Sequence, residues 1–186
     1  MRKIGNRTIE RLLDILQFQL TFLICTVIVG ILINFVIFPV YVSGNSMYPT
    51  LHNQDFGVSS ILTKNLEEIE RFDVVIVKVD NEYWVKRVIG LPNETISCVD
   101  GQVFVNGNPL EESFVDEIYM NDEIKEHGYF NSDFSEIVLG NDEVFLMGDN
   151  RVHSMDSRIV GPFKLSSIKA KDMYILWPFE NGKVVK

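Results

Sequence analysis

Cysteine is scarce in this chain: 186 residues hold two, Cys25 and Cys98. A disulfide framework needs more. Cys25 lies inside a long apolar run and Cys98 far outside it, which argues against a pairing if that run crosses a bilayer. Cys98 reads as an ordinary half-buried strand residue. Histidine is also scarce. His52, His127 and His153 are scattered, with no Cys-x-x-Cys or His-x-x-x-His spacing, so the sequence shows no metal cluster. A basic excess is missing as well. Seventeen Lys and Arg stand against 26 Asp and Glu, a net charge of −9. That argues against general nucleic-acid binding, which needs a basic face. Internal repeats and low-complexity tracts are absent.

Charge is missing altogether from one stretch, Leu20 to Val42. As a helix it measures about 34 Å at 1.5 Å per residue, enough to cross a hydrocarbon core about 30 Å thick. The segment before it, residues 1–19, carries Arg2, Lys3, Arg7 and Arg11 against Glu10 and Asp14. Clustered Lys and Arg favour the cytoplasmic side. The expected organisation is a cytoplasmic segment 1–19, a transmembrane helix 20–42 and an extracytoplasmic domain 43–186. Thr8–Gln19 can begin as an amphipathic helix at the inner surface, and Pro39 is expected to end or kink the helix near the outer one. A cleaved signal peptide fits less well, because its apolar region usually runs about 7–15 residues. A buried core helix is rarely free of charge over such a length.

After Tyr41 the pattern changes to short β-branched and aromatic runs bounded by turn signals. Phe72–Val79, Tyr83–Leu91, Thr95–Leu110, Glu143–Asp149 and Lys171–Phe179 read as strands. A tight turn at Asp80-Asn81-Glu82 predicts a hairpin, and VDGQV and VNGNP mark two more turns. The acidic stretch from Glu112 to Glu136 is less periodic and reads as loop-rich. The expected fold is mostly β, a sandwich or partly open barrel, on one N-terminal transmembrane helix.

Directly after the apolar run stands VSGNSMYPTL, Val42 to Leu51. Gly44 permits backbone conformations that other residues avoid, and Pro49 stiffens the exit. Such a loop can present the Ser46 hydroxyl beside free backbone N–H groups. A serine alone is a weak nucleophile and needs a base. None of the three histidines stands in a context that presents it to a site. Lys86, in YWVKRVIGL, shares a strand face with Trp84 and Val88. If that face is buried, desolvation lowers the lysine pKa and the neutral amine can act as general base. The alternative is that Lys86 snorkels to water. A third polar cluster follows a strand in FLMGDNRVHSMDSRIVGPF: Arg151, Ser154, Asp156, Ser157 and Arg158. It reads either as a solvated loop or as support for the lysine.

Together these segments resemble the type I signal peptidases, membrane-bound serine–lysine endopeptidases, in their short bacterial form with one anchor. SGNSMYPTL matches the nucleophile box, RFDVVIVKV the strand box, YWVKRVIGLP the lysine box and VFLMGDNRVHSMDSRIVGPF the C-terminal box, in the family's order. The resemblance implies Ser46 as nucleophile and Lys86 as general base. It implies that Ser154 orients the amine, that Asp156 and Arg158 support the site, and that the Ser46 backbone N–H serves the oxyanion hole. It implies a β-rich catalytic core with a smaller lobe inserted at roughly 98–142, and no metal or cofactor. Implied partners are exported preproteins with small residues before the cut, the lipid bilayer and a nearby translocon. The substrate is expected to bind as an added strand.

Four positions depart from the family pattern. Gly44 stands where some relatives carry a hydroxyl donor. Phe72-Asp73 replaces Gly-Asp, and Pro92-Asn93-Glu94 replaces Pro-Gly-Asp, with asparagine able to take positive φ. Val152-His153 replaces an acidic residue and its neighbour, and His153 is set aside as a base because Lys86 fills that role. Three other functions share parts of this pattern: a dedicated pilin or narrow-substrate peptidase, a non-catalytic assembly scaffold on the same fold, and a self-cleaving stress repressor. The anchor and the missing DNA-binding domain argue against the last.

Overall fold

A computed structural model describes residues 2–185. Helix α1 runs from Arg2 to Phe35. Within it Ile9–Phe35, of mean hydropathy 2.3, is long and apolar enough to cross a membrane, and none of that stretch is buried against the rest of the chain. The helix ends earlier than the sequence suggests. After Val36 the chain enters strand β1 (Ile37–Tyr41), so the last part of the expected 20–42 span is sheet. Ile37, Val40 and Tyr41 suit a strand as well as a helix, and pairing with the next strand decides between them. Pro39 neither ends nor kinks the helix. It sits inside β1 at the edge of the sheet, where its missing N–H breaks no ladder bond.

The remaining elements follow in order. They are β2 (Phe56–Ser60), α2 (Ile61–Leu66), β3 (Val74–Val79), β4 (Glu82–Gly90), β5 (Thr95–Val99), β6 (Gln102–Val105) and β7 (Asn108–Pro109). Then come α3 (Glu117–His127), β8 (Phe134–Val138), β9 (Glu143–Met147), α4 (Ser157–Val160), β10 (Phe163–Lys164), β11 (Ile168–Trp177) and β12 (Val184–Val185). An eight-stranded antiparallel sheet has the order β1-β2-β11-β3-β4-β9-β10, with β12 beside β11. A four-stranded sheet, β7-β6-β5-β8, is built from residues between the lysine strand β4 and strand β9. The fold is mostly β, as expected.

The turn signals act where the sequence places them. Val79 pairs with Glu82 across Asp80-Asn81, with Asp80 at φ 51°. Asp100-Gly101 and Asn106-Gly107 each take positive φ at both residues, the requirement of a two-residue hairpin turn. The expected strand Thr95–Leu110 is therefore three strands. The acidic stretch is less irregular than expected. Asp116 caps α3 by accepting from the Tyr119 N–H, and Gly128 ends it at φ 85°.

Three apolar clusters hold the sheets. One joins Val40, Val42, Met47 and Leu51 to Val74, Ile76 and Met173. A second lies between β4, β9 and the smaller sheet, around Ile89, Ile96, Cys98 and Phe145. A third lines the face of β3, β4 and β9 through Val75, Val77, Val88 and Leu146. β4 contributes to all of them, which fixes the strand that carries Lys86 on every side.

Candidate active site

The serine loop is anchored at both flanks. Met47 and Leu51 are buried in the first apolar cluster, so the loop cannot lift away without exposing them. Gly44, at φ 97°, donates its N–H to the Asn53 side chain at 2.9 Å. The Val42 N–H donates to the Asp55 carbonyl at 2.8 Å and the Gln54 N–H returns to Val42 at 2.9 Å. Ser46 itself stays half-buried. It lines a cleft of about 640 Å³ together with Ser43, Met47, Trp84, Lys86 and Met155.

Lys86 does not snorkel. Its residue is 3% exposed, and Nζ lies 5.7 Å from the centre of the Trp84 ring. The amine donates to the Ser154 hydroxyl at 3.2 Å. Burial lowers its pKa from 10.5 to about 8; Asp156 and Asp149 oppose that shift and Arg158 adds to it. The Ser154 hydroxyl in turn bonds the Asp156 carboxylate. Burial alone raises the Asp156 pKa, but Arg158, with the Gly148 N–H and Ser154, outweighs it and holds the carboxyl below its ordinary range. Arg158 donates from Nε at 2.9 Å and from Nη2 at 2.8 Å, a two-point pair. Asp156 also accepts the Gly148 N–H at 3.0 Å and caps α4 through the Arg158 N–H. Lys86, Ser154, Asp156 and Arg158 thus form one continuous polar line into the protein.

The turn Gly148-Asp149-Asn150 clamps that line to the serine loop. The Asn150 N–H donates to the Ser46 carbonyl, and its side-chain amide to the Asn45 carbonyl, both at 3.0 Å. Gly148 packs so closely that a Cβ there falls 2.2 Å from Ser154 Oγ and 2.3 Å from the Ser46 carbonyl oxygen. No side chain fits without moving one of them. Gly148→Ala is therefore expected to lower peptidase activity by about 100-fold, the scale of an ångström-sized misplacement. A preprotein-cleavage assay checks this, with circular dichroism confirming the fold.

Several residues at this site carry no sequence signal beyond their charge. Arg87 is buried and pairs with Asp149 through Nε at 2.9 Å and Nη2 at 2.7 Å. Its guanidinium lies 4.2 Å over the Phe114 ring and donates to the Phe72 carbonyl at 2.8 Å. Phe72 takes φ 75° and Asn93 φ 65°, so both departures from the expected glycines adopt left-handed backbone. Arg151 is buried between the rings of Phe114 and Phe130. It pairs at two points with Glu112, bonds Asn131 at 2.8 Å and donates to the Gly148 carbonyl at 3.1 Å. The segment between β7 and β8 is thereby bolted to the Gly148-Asp149-Asn150 turn.

His153 points away from the Lys86 cleft. Its side chain is 54% exposed, with Nε2 3.8 Å from Glu123. The three residues that sequence spacing leaves apart come together in part here. Glu123, His127 and His153 bring one ligand atom each within 4.8 Å of one another.

Comparison with known proteins places this architecture. Residues 15–177 match the family described as signal peptidase, peptidase S26. Signal peptidase I S of Bacillus subtilis is 31% identical over 177 residues, covering 94% of this chain and 95% of that protein. A signal peptidase I of Bacillus amyloliquefaciens is 33% identical over 167 residues, covering 88% and 89%. The crystal structure of a signal peptidase I from Enterococcus faecalis superposes with a TM-score of 0.51 at 26% identity, covering 56% of this chain and 97% of that one. With a family match over most of its length, the chain belongs to the signal peptidase family, peptidase S26, and is a serine endopeptidase.

Proposed function

We propose that the chain removes N-terminal signal peptides from exported preproteins, with Ser46 as nucleophile and Lys86 as general base, while held in the membrane by α1. The observation that carries this reading is the buried Lys86 amine, which lines one cleft with Ser46 and is oriented by Ser154. A neutral amine in that place takes the proton from Ser46 Oγ as the oxygen attacks the scissile carbonyl. The tetrahedral oxyanion receives the Ser46 backbone N–H, which bonds no acceptor among the described residues. The Lys86 ammonium then protonates the leaving amine, and the C–N bond breaks to leave an acyl ester on Ser46. Lys86, neutral again, deprotonates a water that hydrolyses the ester. Asp156 steadies the ammonium between the two transfers, and Ser154 keeps Nζ from rotating away.

The geometry also supports a binding mode. β1 pairs with β2 alone and forms an edge of the large sheet. Phe38 to Val42 line one side of the cleft, and Asn81 to Lys86 line the other. An extended substrate can add to the β1 edge through main-chain bonds. The substrate expected there carries small residues before the cut, as the family resemblance implies. With α1 in the bilayer and its basic end inside, the cleft faces the outer surface near the translocon, where signal peptides end.

The test is the pH dependence of cleavage of a preprotein bearing an Ala-x-Ala site. The charged groups facing Lys86 are Asp156, Asp149 and Arg158, and we assign the pH profile to the lysine. The rate is expected to climb nearly tenfold per pH unit below about 8 and to level off above it. A flat profile from about pH 6 to 10 removes a titrating lysine from the mechanism.

A further inference from the structure

On the far side of the catalytic turn three side chains converge that the peptidase chemistry does not use. Glu123 and His127 lie one turn apart on α3, on one face of the helix. His153 reaches them from the loop next to Ser154. His127 Nε2 is 3.5 Å and His153 Nε2 is 3.8 Å from the same oxygen, Glu123 Oε2. That oxygen is buried and has no hydrogen-bond partner. The Tyr119 hydroxyl bonds the Glu123 carboxylate and so fixes its orientation. The two imidazole rings stand edge to face, 5.2 Å apart between centres.

We propose that Glu123, His127 and His153 form a binding site for a borderline divalent metal ion, Zn²⁺ in the first place, separate from the Ser46–Lys86 centre. Two imidazoles and one carboxylate suit zinc and its first-row neighbours; magnesium and calcium prefer all-oxygen sites. Three protein ligands leave a fourth tetrahedral position open. Bonds of about 2.0–2.1 Å place tetrahedral donors about 3.3 Å apart. The two nitrogen–oxygen separations here lie within about half an ångström of that. His153 is half exposed, so its ring is free to make the remaining adjustment.

Glu123 and His153 line a second cleft, of about 320 Å³, with Asn45, Tyr48, His52 and Asn150. Asn150 links the two centres. Its side-chain oxygen accepts the His153 N–H at 3.2 Å, and its amide holds Asn45 beside the nucleophile. A bound ion therefore clasps α3 to the catalytic turn. It binds from outside the peptide cleft and takes part in no bond-breaking step.

The experiment uses the full chain in detergent, purified without a polyhistidine tag, stripped with chelator and desalted. Co²⁺ is titrated by its visible absorption and Zn²⁺ by calorimetry, with the melting temperature followed in parallel. One ion per chain is expected, with a melting temperature that rises on zinc addition. His127→Ala and His153→Ala should each weaken binding at least about tenfold, and Glu123→Gln should do so with the helix surface otherwise unchanged. Binding that survives His127→Ala and His153→Ala together, or no binding below about millimolar Zn²⁺, overturns the site.

Discussion

Replacing Ser46 by alanine, or Lys86 by methionine, is expected to reduce preprotein cleavage by at least about 10⁴-fold, the scale seen when one member of a catalytic unit is removed. The two losses should be nearly equal, and the double variant no worse than either, because the groups act as one unit. The lysine variant has a second, opposite effect. In the folded chain the Lys86 pKa is near 8, against an ordinary 10.5. The unfolded chain therefore binds that proton more tightly. Below about pH 8 the lysine is charged in both states, and folding bears the whole cost of burying the ammonium. At about 1.4 kcal/mol per pKa unit this is on the order of 3 kcal/mol. The cost fades as pH rises from about 8 to 10.5, where the unfolded lysine loses its proton too. Methionine removes the charge and keeps the shape, at the loss of one hydrogen bond to Ser154 worth about 1 kcal/mol. Lys86→Met should thus be inactive yet more stable by roughly 2 kcal/mol at pH 7, and no more stable at pH 10.5. Urea unfolding at the two pH values checks it. A variant that is less stable at both would show that the buried amine costs the fold nothing.

The second large effect concerns Arg151. Its guanidinium is wholly buried and satisfies Glu112, Asn131 and the Gly148 carbonyl at once. Arg151→Met leaves a mostly buried carboxylate and two further acceptors without a donor. Breaking such a pair from one side typically costs 3–5 kcal/mol, and that is the expected loss in urea unfolding. Arg151→Lys should recover little, because one ammonium cannot reach from a single point the three partners that the guanidinium fork serves from Nε, Nη1 and Nη2. Neutralising the other partner as well, as Arg151→Met with Glu112→Gln, should recover much of the loss. If the single variant is as stable as the wild type, the smaller sheet is not held to the catalytic turn by this residue. Activity should fall with stability, since Gly148 loses its brace and touches both Ser46 and Ser154.

The residues of the proposed site are legible in the sequence because each is local. Ser46, Lys86, Ser154, Asp156 and Arg158 each sit in a short segment whose residue types carry the resemblance, and the fold brings them to one cleft or directly behind it. What holds them was not legible, because it is non-local. The clamp from Asn150 to Asn45 spans 105 positions and the Arg87–Asp149 pair 62. Nothing in either segment names its partner. The boundary of α1 failed for a different reason. An unbroken apolar run lacks the periodicity that separates helix from strand, and only pairing with β2 claims Ile37–Tyr41 for the sheet. The histidines are scattered in sequence, and the acidic, weakly periodic stretch around His127 does not announce the helix α3. With a helix there, Glu123 and His127 face the same way, and His153 completes the group from another element.

One residue, Val36, separates the end of α1 from the start of β1. It is bonded on both sides: its N–H donates to the Leu32 carbonyl and its carbonyl accepts from Ile61, each at 3.0 Å. A joint so short and so braced leaves little room for a hinge. With the helix seated in a bilayer, the height of Ser46 above the lipid becomes a fixed length, set by the fold. If Ser46 is the nucleophile proposed above, the enzyme would work as a ruler: the peptide bond that reaches the serine would be set first by how many residues the substrate spans from the membrane surface.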